Sequence, residues 1–250
     1  MQQEDLKEYV NSLPLLEPAA EFPGAKGANG DLASEGVEQS FLNAKSLVSF
    51  VTDVQGQRRN DVLNSVLFAQ LAANKQFPND EQIMDWYKAF IHVLNTLGWV
   101  IEAAEFSTFK ASKDIFEVEN AIIDILTTAF GGSFMTVIAK TMSSIKDLSD
   151  GNGSITAFEK NTHSLSKGAF QIGVAMEEND TVSLQLGTFL LTSSNEIKKI
   201  LFFKSSKDKT RLDYCSRKGT LNEDVYGSIR ETVKARLGEK TSQFIAEVEI

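Results

Sequence analysis

The sequence predicts an α+β fold in which helices cover the faces of a central antiparallel sheet. Three observations lead there. Residues 117–147 hold apolar side chains at helical spacing around a Gly131–Gly132 pair. Residues 168–218 change to long strand-like runs separated by short polar turns. Amphipathic helical stretches stand on both sides of these two blocks, at 61–97 and 223–237.

In the first block, Ile123, Leu126, Phe130, Phe134, Val137 and Ile145 recur at gaps of three, four and eight, and no charge falls between Ile125 and Ala139. That spacing marks a helix with a wide apolar face. Two adjacent glycines cost about 1 kcal/mol each inside a helix. The expectation is therefore a helix over 115–130, a joint, and a helix over 133–148. The uncharged run is shorter than the roughly 18–20 residues that a spanning helix needs. Two readings fit: a buried helix pair of a soluble domain, or a hairpin able to leave that core for lipid.

Composition sets the outer bounds. The chain has 250 residues, is 42% hydrophobic and 24% charged, and carries a net charge of −9. These values are ordinary for a globular protein, and the charge argues against nucleic acid as the main partner. The single cysteine, Cys215, excludes an internal disulfide framework and a cysteine-rich zinc site. MQQEDLKEYV is acidic and lacks an apolar core, so no signal peptide is expected, and work outside the cell would need release by another route. Charge is uneven: residues 1–193 hold 13 Lys and Arg against 25 Asp and Glu, whereas residues 194–240 hold 12 against 7. The basic segment either favours an anionic surface such as phospholipid headgroups or balances acidic neighbours in the fold.

Residues 1–36 read as a flexible leader or tail, with Pro14, Pro18 and Pro23 followed by Gly24, Gly27 and Gly30. A short helix is expected near Glu4–Asn11, and the remainder as extended, exposed and protease-sensitive chain. The single α+β domain is expected over 37–250. Its first strand is SLVSFVTDV, 46–54, followed by a polar turn at Gln55–Arg59. Asp61 is a candidate cap for VLNSVLFAQLAANKQ, a helix ended by Phe77–Pro78. A second amphipathic helix spans 80–97, with Ile83, Trp86, Tyr87, Phe90, Val93, Leu94 and Leu97 on one face. Gly98–Lys110 suits either a helix extension or a short strand.

DGNGSITAFEK, 150–160, is similar to an EF-hand loop, with Asp150, Asn152 and Glu159 at ligand positions three, five and twelve. The first position, however, is Leu148, which has no side-chain oxygen. A turn between helix and strand is the preferred reading, and no metal or other cofactor is expected. Strands follow at 168–178, 181–194, 197–206 and 209–218, joined as a meander by turns at Glu178–Asp180, Asn195–Glu196 and Lys207–Asp208. Val225, Ile229, Val233 and Leu237 form one face of a last helix, and QFIAEVEI, 243–250, alternates as a closing strand.

Catalytic constellations are absent. There is no HExxH, GxSxG, GxxxxGK or GxGxxG, and the only histidines are His92 and His163. His163 beside serines and Asp124 on the apolar helix are weak candidates for chemistry. The chain is read as not an enzyme, with no small-molecule substrate.

The order of elements resembles the cytolytic (Cyt) δ-endotoxins of Bacillus thuringiensis over roughly residues 46–237. The likeness rests on SFVTDV with the NDVLNSVLFAQLAANKQ helix, the pair NAIIDILTTAFGGSFMTVIAKTM, and IGVAMEENDTVSLQLGTFLLTSSNEIKKILFF. The resemblance implies a three-layer sandwich, a central antiparallel sheet between two helical layers. It also implies a secreted or otherwise released toxin, trimmed at its ends, that binds membrane phospholipid, forms homo-oligomers there and permeabilises the bilayer. The corresponding membrane-contact candidates are Lys198, Lys199 and Lys204, Leu201, Phe202 and Phe203, Val182, Leu184 and Leu186, and Phe130 and Phe134. Lys207 and Lys209 extend the cationic run. The alternative is a soluble secreted interaction or virulence accessory protein on a similar scaffold.

Overall fold

The computed structural model describes residues 3–17, 34, 36–148 and 152–250. Its elements run α1 (Gln3–Ser12), β1 (Gln39–Asn43), β2 (Ser46–Phe50), α2 (Gly56–Gln76), α3 (Ile83–Thr96), β3 (Trp99–Ile101), β4 (Ser107–Thr108), β5 (Ile115–Glu117), α4 (Val118–Phe130), α5 (Gly132–Asp147), α6 (Gly153–Thr162), β6 (Lys167–Glu178), β7 (Thr181–Ser193), β8 (Lys204–Ser206), β9 (Thr210–Leu221), α7 (Glu223–Leu237), α8 (Lys240–Phe244) and β10 (Ile245–Val248). The expected α+β sandwich is present. The main sheet has the order β10-β1-β2-β6-β7-β9-β3, with β4 also on β9.

The sheet is mixed, which corrects the expectation of an antiparallel one. β2 pairs parallel to β6, Leu47 opposite Ile172, while its other ladders are antiparallel. The chain between β2 and β6 passes through α2 to α6, and a connection of that length can return a strand in either direction. At the other side of β6, a tight turn at Asn179 and Asp180, with φ of 51° and 59°, sets the β6–β7 register. Paired positive φ values match the right-handed twist of a hairpin.

Two apolar cores flank this sheet. One holds α1, α2, α3 and α7 against Phe41, Val48, Phe50, Val182, Leu184 and Leu186. The other holds α4, α5, α6 and the 197–203 segment against Leu47, Phe170, Ile172, Val174, Phe189 and Leu191. Burial on both faces explains the consecutive apolar residues Val174–Met176 of β6 and Phe189–Leu191 of β7.

Several elements differ from the sequence reading. The N-terminal segment is docked: Leu6, Val10 and Leu15 are buried, Leu16 N–H donates to the Leu71 carbonyl, and Arg236 donates to the Val10 and Leu13 carbonyls. Of the rest of the expected leader, 18–33 and 35 lie outside the described residues. α2 begins at Gly56, so Asp61 is inside the helix and caps nothing. The polar stretch before it continues the helix because Arg59 is buried and donates to the Val54, Val51 and Thr52 carbonyls and to Gln39. β1 was not foreseen, and Gly98–Lys110 resolves into β3 and β4.

The run 197–206 is not a strand of the sheet. Ile197, Ile200, Leu201 and Phe203 turn into the second core, a spacing that does not alternate. Only Lys204–Ser206 is extended, pairing with β5 in a separate ladder. The turn expected at 150–160 is corrected too, since the stretch holds a helix. Asp150 lies outside the described residues, and from Gly153 onward the chain is helical where a calcium loop would wrap its ion. Asn152 caps that helix by accepting from Ser154 N–H and Ile155 N–H, and Ile155 and Phe158 pack inward. The joint of the apolar pair falls at Gly131, with φ 82°. No helix among the described residues is long and apolar enough to cross a membrane.

Candidate functional site

The membrane-contact candidates divide between the two faces of the sheet. β7 alternates, so Val182, Leu184 and Leu186 face α2, α3 and α7, while Phe189 and Leu191 face α4 to α6. Leu201, Phe203 and Phe130 join the second core, and Phe134 and Phe202 lie half-buried against it. None of the strand candidates is exposed; each is covered by helix. The arrangement holds an apolar sheet out of water rather than displaying it.

The cover over the second face is built by α4 and α5. Leu126 of α4 approaches β7 at Gly187, where a Cβ would stand 2.6 Å from the Leu126 Cδ2. Phe170 and Phe189 stack with centroids 5.0 Å apart in the same core. α5 adds a polar contact: the Thr141 hydroxyl lies 2.6 Å from that of Ser40, which donates to Ser49 at 2.8 Å. Lys146 of α5 pairs with Glu119 of α4 at 3.0 Å.

The lysines fringe this layer. Lys198 and Lys199 are exposed. Lys204 pairs with Glu117 at 2.8 Å, which raises the lysine pKa and lowers that of the carboxyl; Lys207 pairs with Asp114 at 2.7 Å. Part of the basic run thus balances acidic neighbours, as one sequence reading held. The same strip borders an open cleft of about 260 Å³ lined by Phe109, Lys113, Glu117, Asn120 and Asp124 among others. Asp124 is exposed, not buried.

His163 does not meet a serine hydroxyl for acyl transfer. Its Nδ1 bonds the Ser164 carbonyl at 3.0 Å, and Nε2 lies 2.9 Å from a Glu159 carboxyl oxygen. That Glu159 oxygen also accepts from Ile200 N–H at 2.9 Å. Burial opposes the charged ring, but Glu159 and the Ser164 and Lys198 carbonyls outweigh it and raise the His163 pKa. The trio ties α6 to the 197–203 segment. Nothing in the local sequence signals it beyond Glu159 and His163 standing four apart. His92 is exposed. Among the described residues, no three His, Cys, Asp or Glu side chains converge as a metal site.

A second feature escaped the sequence reading. Asp61 is fully buried, and Arg230 of α7 donates to both its oxygens at 2.8 Å while also reaching Glu223. This fork joins α2 to α7 across the first layer.

No known sequence family matches the chain, and no curated protein matches it. Among solved structures it is similar to a delta-endotoxin, at 14% identity over 84% of this chain and 96% of that one, with a TM-score of 0.42. It is similar also to the activated Cyt2Ba monomer from Bacillus thuringiensis subsp. israelensis, at 10% identity over 54% and 79%, TM-score 0.34. The Evf virulence factor is similar at 11% identity over 96% and 89%, TM-score 0.39. The group that the sequence resembles is thus represented among them.

Proposed function

We propose that the chain is a membrane-active protein that binds phospholipid directly, assembles with further copies of itself and permeabilises the bilayer of a target cell. The observation that supports this most is the β6–β7 hairpin. Its strands are 12 and 13 residues long, in continuous register, and largely buried on both faces, with Phe170, Ile172 and Val174 on one face of β6 and Val182, Leu184 and Leu186 on the opposite face of β7. A tilted strand needs about 9–11 residues to cross the hydrocarbon. β9, beside it, carries Arg211, Asp213, Arg217 and Lys218, which suits lipid poorly.

A hairpin leaving the helices would expose unpaired backbone edges, which hydrocarbon does not tolerate. Hairpins from several copies must therefore pair edge to edge, which is why assembly belongs to the proposal. Lys198 supplies exposed charge for first contact with headgroups. Removal of residues 1–36 would take α1 off α7 and open one layer. No catalytic group is needed.

The test is dye release from liposomes of zwitterionic or anionic lipid, with intact and lightly trypsinised protein. Leakage is expected, with a lag that reports assembly. A disulfide engineered between α4 and β7 should abolish it, and reduction should restore it. No leakage from either form on any lipid would overturn the proposal in favour of a soluble interaction protein.

A further inference from the structure

Lys45 sits in the turn between β1 and β2, and its surroundings are unusual for a lysine. The turn is clamped on its backbone: Lys45 N–H donates to Gln70 Oε1 at 2.8 Å, Gln70 Nε2 donates to the Asn43 carbonyl at 2.9 Å, and Gln171 N–H donates to the Lys45 carbonyl at 3.0 Å. Its ammonium is held 5.4 Å from the centroid of the buried Trp86 ring. Among the described residues Lys45 makes no ion pair. Burial lowers its pKa, against the pull of Asp80.

The same side chain lines two adjoining hollows. The inner one, about 10 Å³, is lined by Ile83, Trp86, Tyr87, Gln171, Thr188 and Leu190 among others. The outer one, about 50 Å³, shares Lys45, Ile83, Ala169 and Leu190 and runs past Asp80, Gly168 and Lys167. Gln171 is 1% exposed; its Oε1 accepts from Ser46 Oγ at 2.6 Å, while its Nε2 has no hydrogen-bond partner in the protein. Buried polar atoms are normally satisfied, so an orphaned amide donor and a lysine without an ion pair, lining the same hollow, ask for an acceptor.

We propose that this hollow is a binding site for a small monocarboxylate. One carboxylate oxygen takes the Lys45 ammonium and the Gln171 amide, and a short alkyl or aryl body lies in the outer hollow between Ile83 and Leu190. The inner volume is that of about one water-sized group, which admits a carboxylate oxygen. The Thr188 hydroxyl, also without a partner, is a third donor in the inner hollow, and the Asp80 carboxylate beside the outer one disfavours a multiply charged phosphate more than a singly charged carboxylate. Because Ile83 and Trp86 belong to α3 and Gln171 and Leu190 to the sheet, an occupant ties that helix to the sheet and should raise thermal stability. The site stands whether or not the chain acts on membranes.

The test uses the full chain with sodium butyrate and sodium benzoate, against sodium chloride and sodium phosphate at matched ionic strength. Titration calorimetry should show millimolar carboxylate binding and little for phosphate, and the melting temperature should rise only with carboxylate. Lys45→Met, which keeps the stem over Trp86, should weaken binding by about tenfold or more, the worth of one charge-assisted hydrogen bond. Should that variant fail to fold, acylation of wild-type Lys45 by an N-hydroxysuccinimide ester, followed by mass spectrometry, gives the answer without it. Butyrate should slow that reaction at Lys45 and not at the exposed Lys198. No binding, equal binding by phosphate, undiminished binding in Lys45→Met, or no protection of Lys45 would each overturn the proposal.

Discussion

The Asp61–Arg230 fork makes the sharpest test of how the first helical layer is held. Replace Arg230 with Met, which keeps the length of the stem and removes the guanidinium. Asp61 then loses two hydrogen bonds of 2.8 Å and keeps one, from Gln57 at 3.1 Å, with its side chain at 0% exposure. Leaving a buried charge without its partner costs about 3–5 kcal/mol. For a chain of this size each kcal/mol moves the melting temperature by roughly 2–4 °C, so a fall of about 6–20 °C is expected.

The pH dependence follows from the sign of the shift. Burial raises the Asp61 pKa even with Arg230 lowering it. Loss of Arg230 raises it further. A carboxyl with a raised folded pKa stabilises most below its unfolded value, and that contribution is lost as pH rises through the folded value. The deficit of Arg230→Met should therefore shrink as pH falls from neutral toward about 4. Adding Asp61→Asn to Arg230→Met should recover a large part of the loss at neutral pH. The assay is urea unfolding followed by circular dichroism across that range. A loss below about 1 kcal/mol at neutral pH, the size of a solvated surface pair, would refute the reasoning.

Three further outcomes are expected. The Tyr226 hydroxyl is buried with no hydrogen-bond partner, so Tyr226→Phe should leave stability unchanged or raise it by about 1 kcal/mol, and a clear loss in urea unfolding would contradict that. His163 has a raised pKa, so its contribution is complete below about 6.5 and disappears as pH rises through the folded value. A melting-temperature profile should show that decline in the wild type and not in His163→Gln. Gly187→Val places a side chain against Leu126 and should cost about 1–3 kcal/mol through overpacking, with Leu126→Ala as the compensating change that restores part of it. On the membrane reading, the same wedge should shorten the lag before liposome leakage.

The elements with a local signal were legible in the residues alone. Val182, Leu184 and Leu186 alternate, and Asn179–Asp180 punctuates them, so β6, β7 and their turn are legible from spacing. Gly131 likewise announces the joint of α4 and α5, and the four-residue spacing of Val225 to Leu237 announces α7. Ile197–Phe203 was misread because a short continuous apolar run carries no period that separates a strand from a folded-in loop. The helix from Gly153 was hidden behind a metal-loop pattern, although Asn152 with Ile155 and Phe158 was its local signal.

Pairing between distant segments is visible only in the assembled fold. Asp61 and Arg230 are 169 positions apart, and nothing near either residue names the other. The parallel β2–β6 ladder, the docking of α1 on α7, and the division of the lipid-contact candidates between two faces are of the same kind. Periodicity reports which side of an element is apolar. Which surface covers that side is fixed by the burial available once distant segments have met, and that is a property of the whole chain.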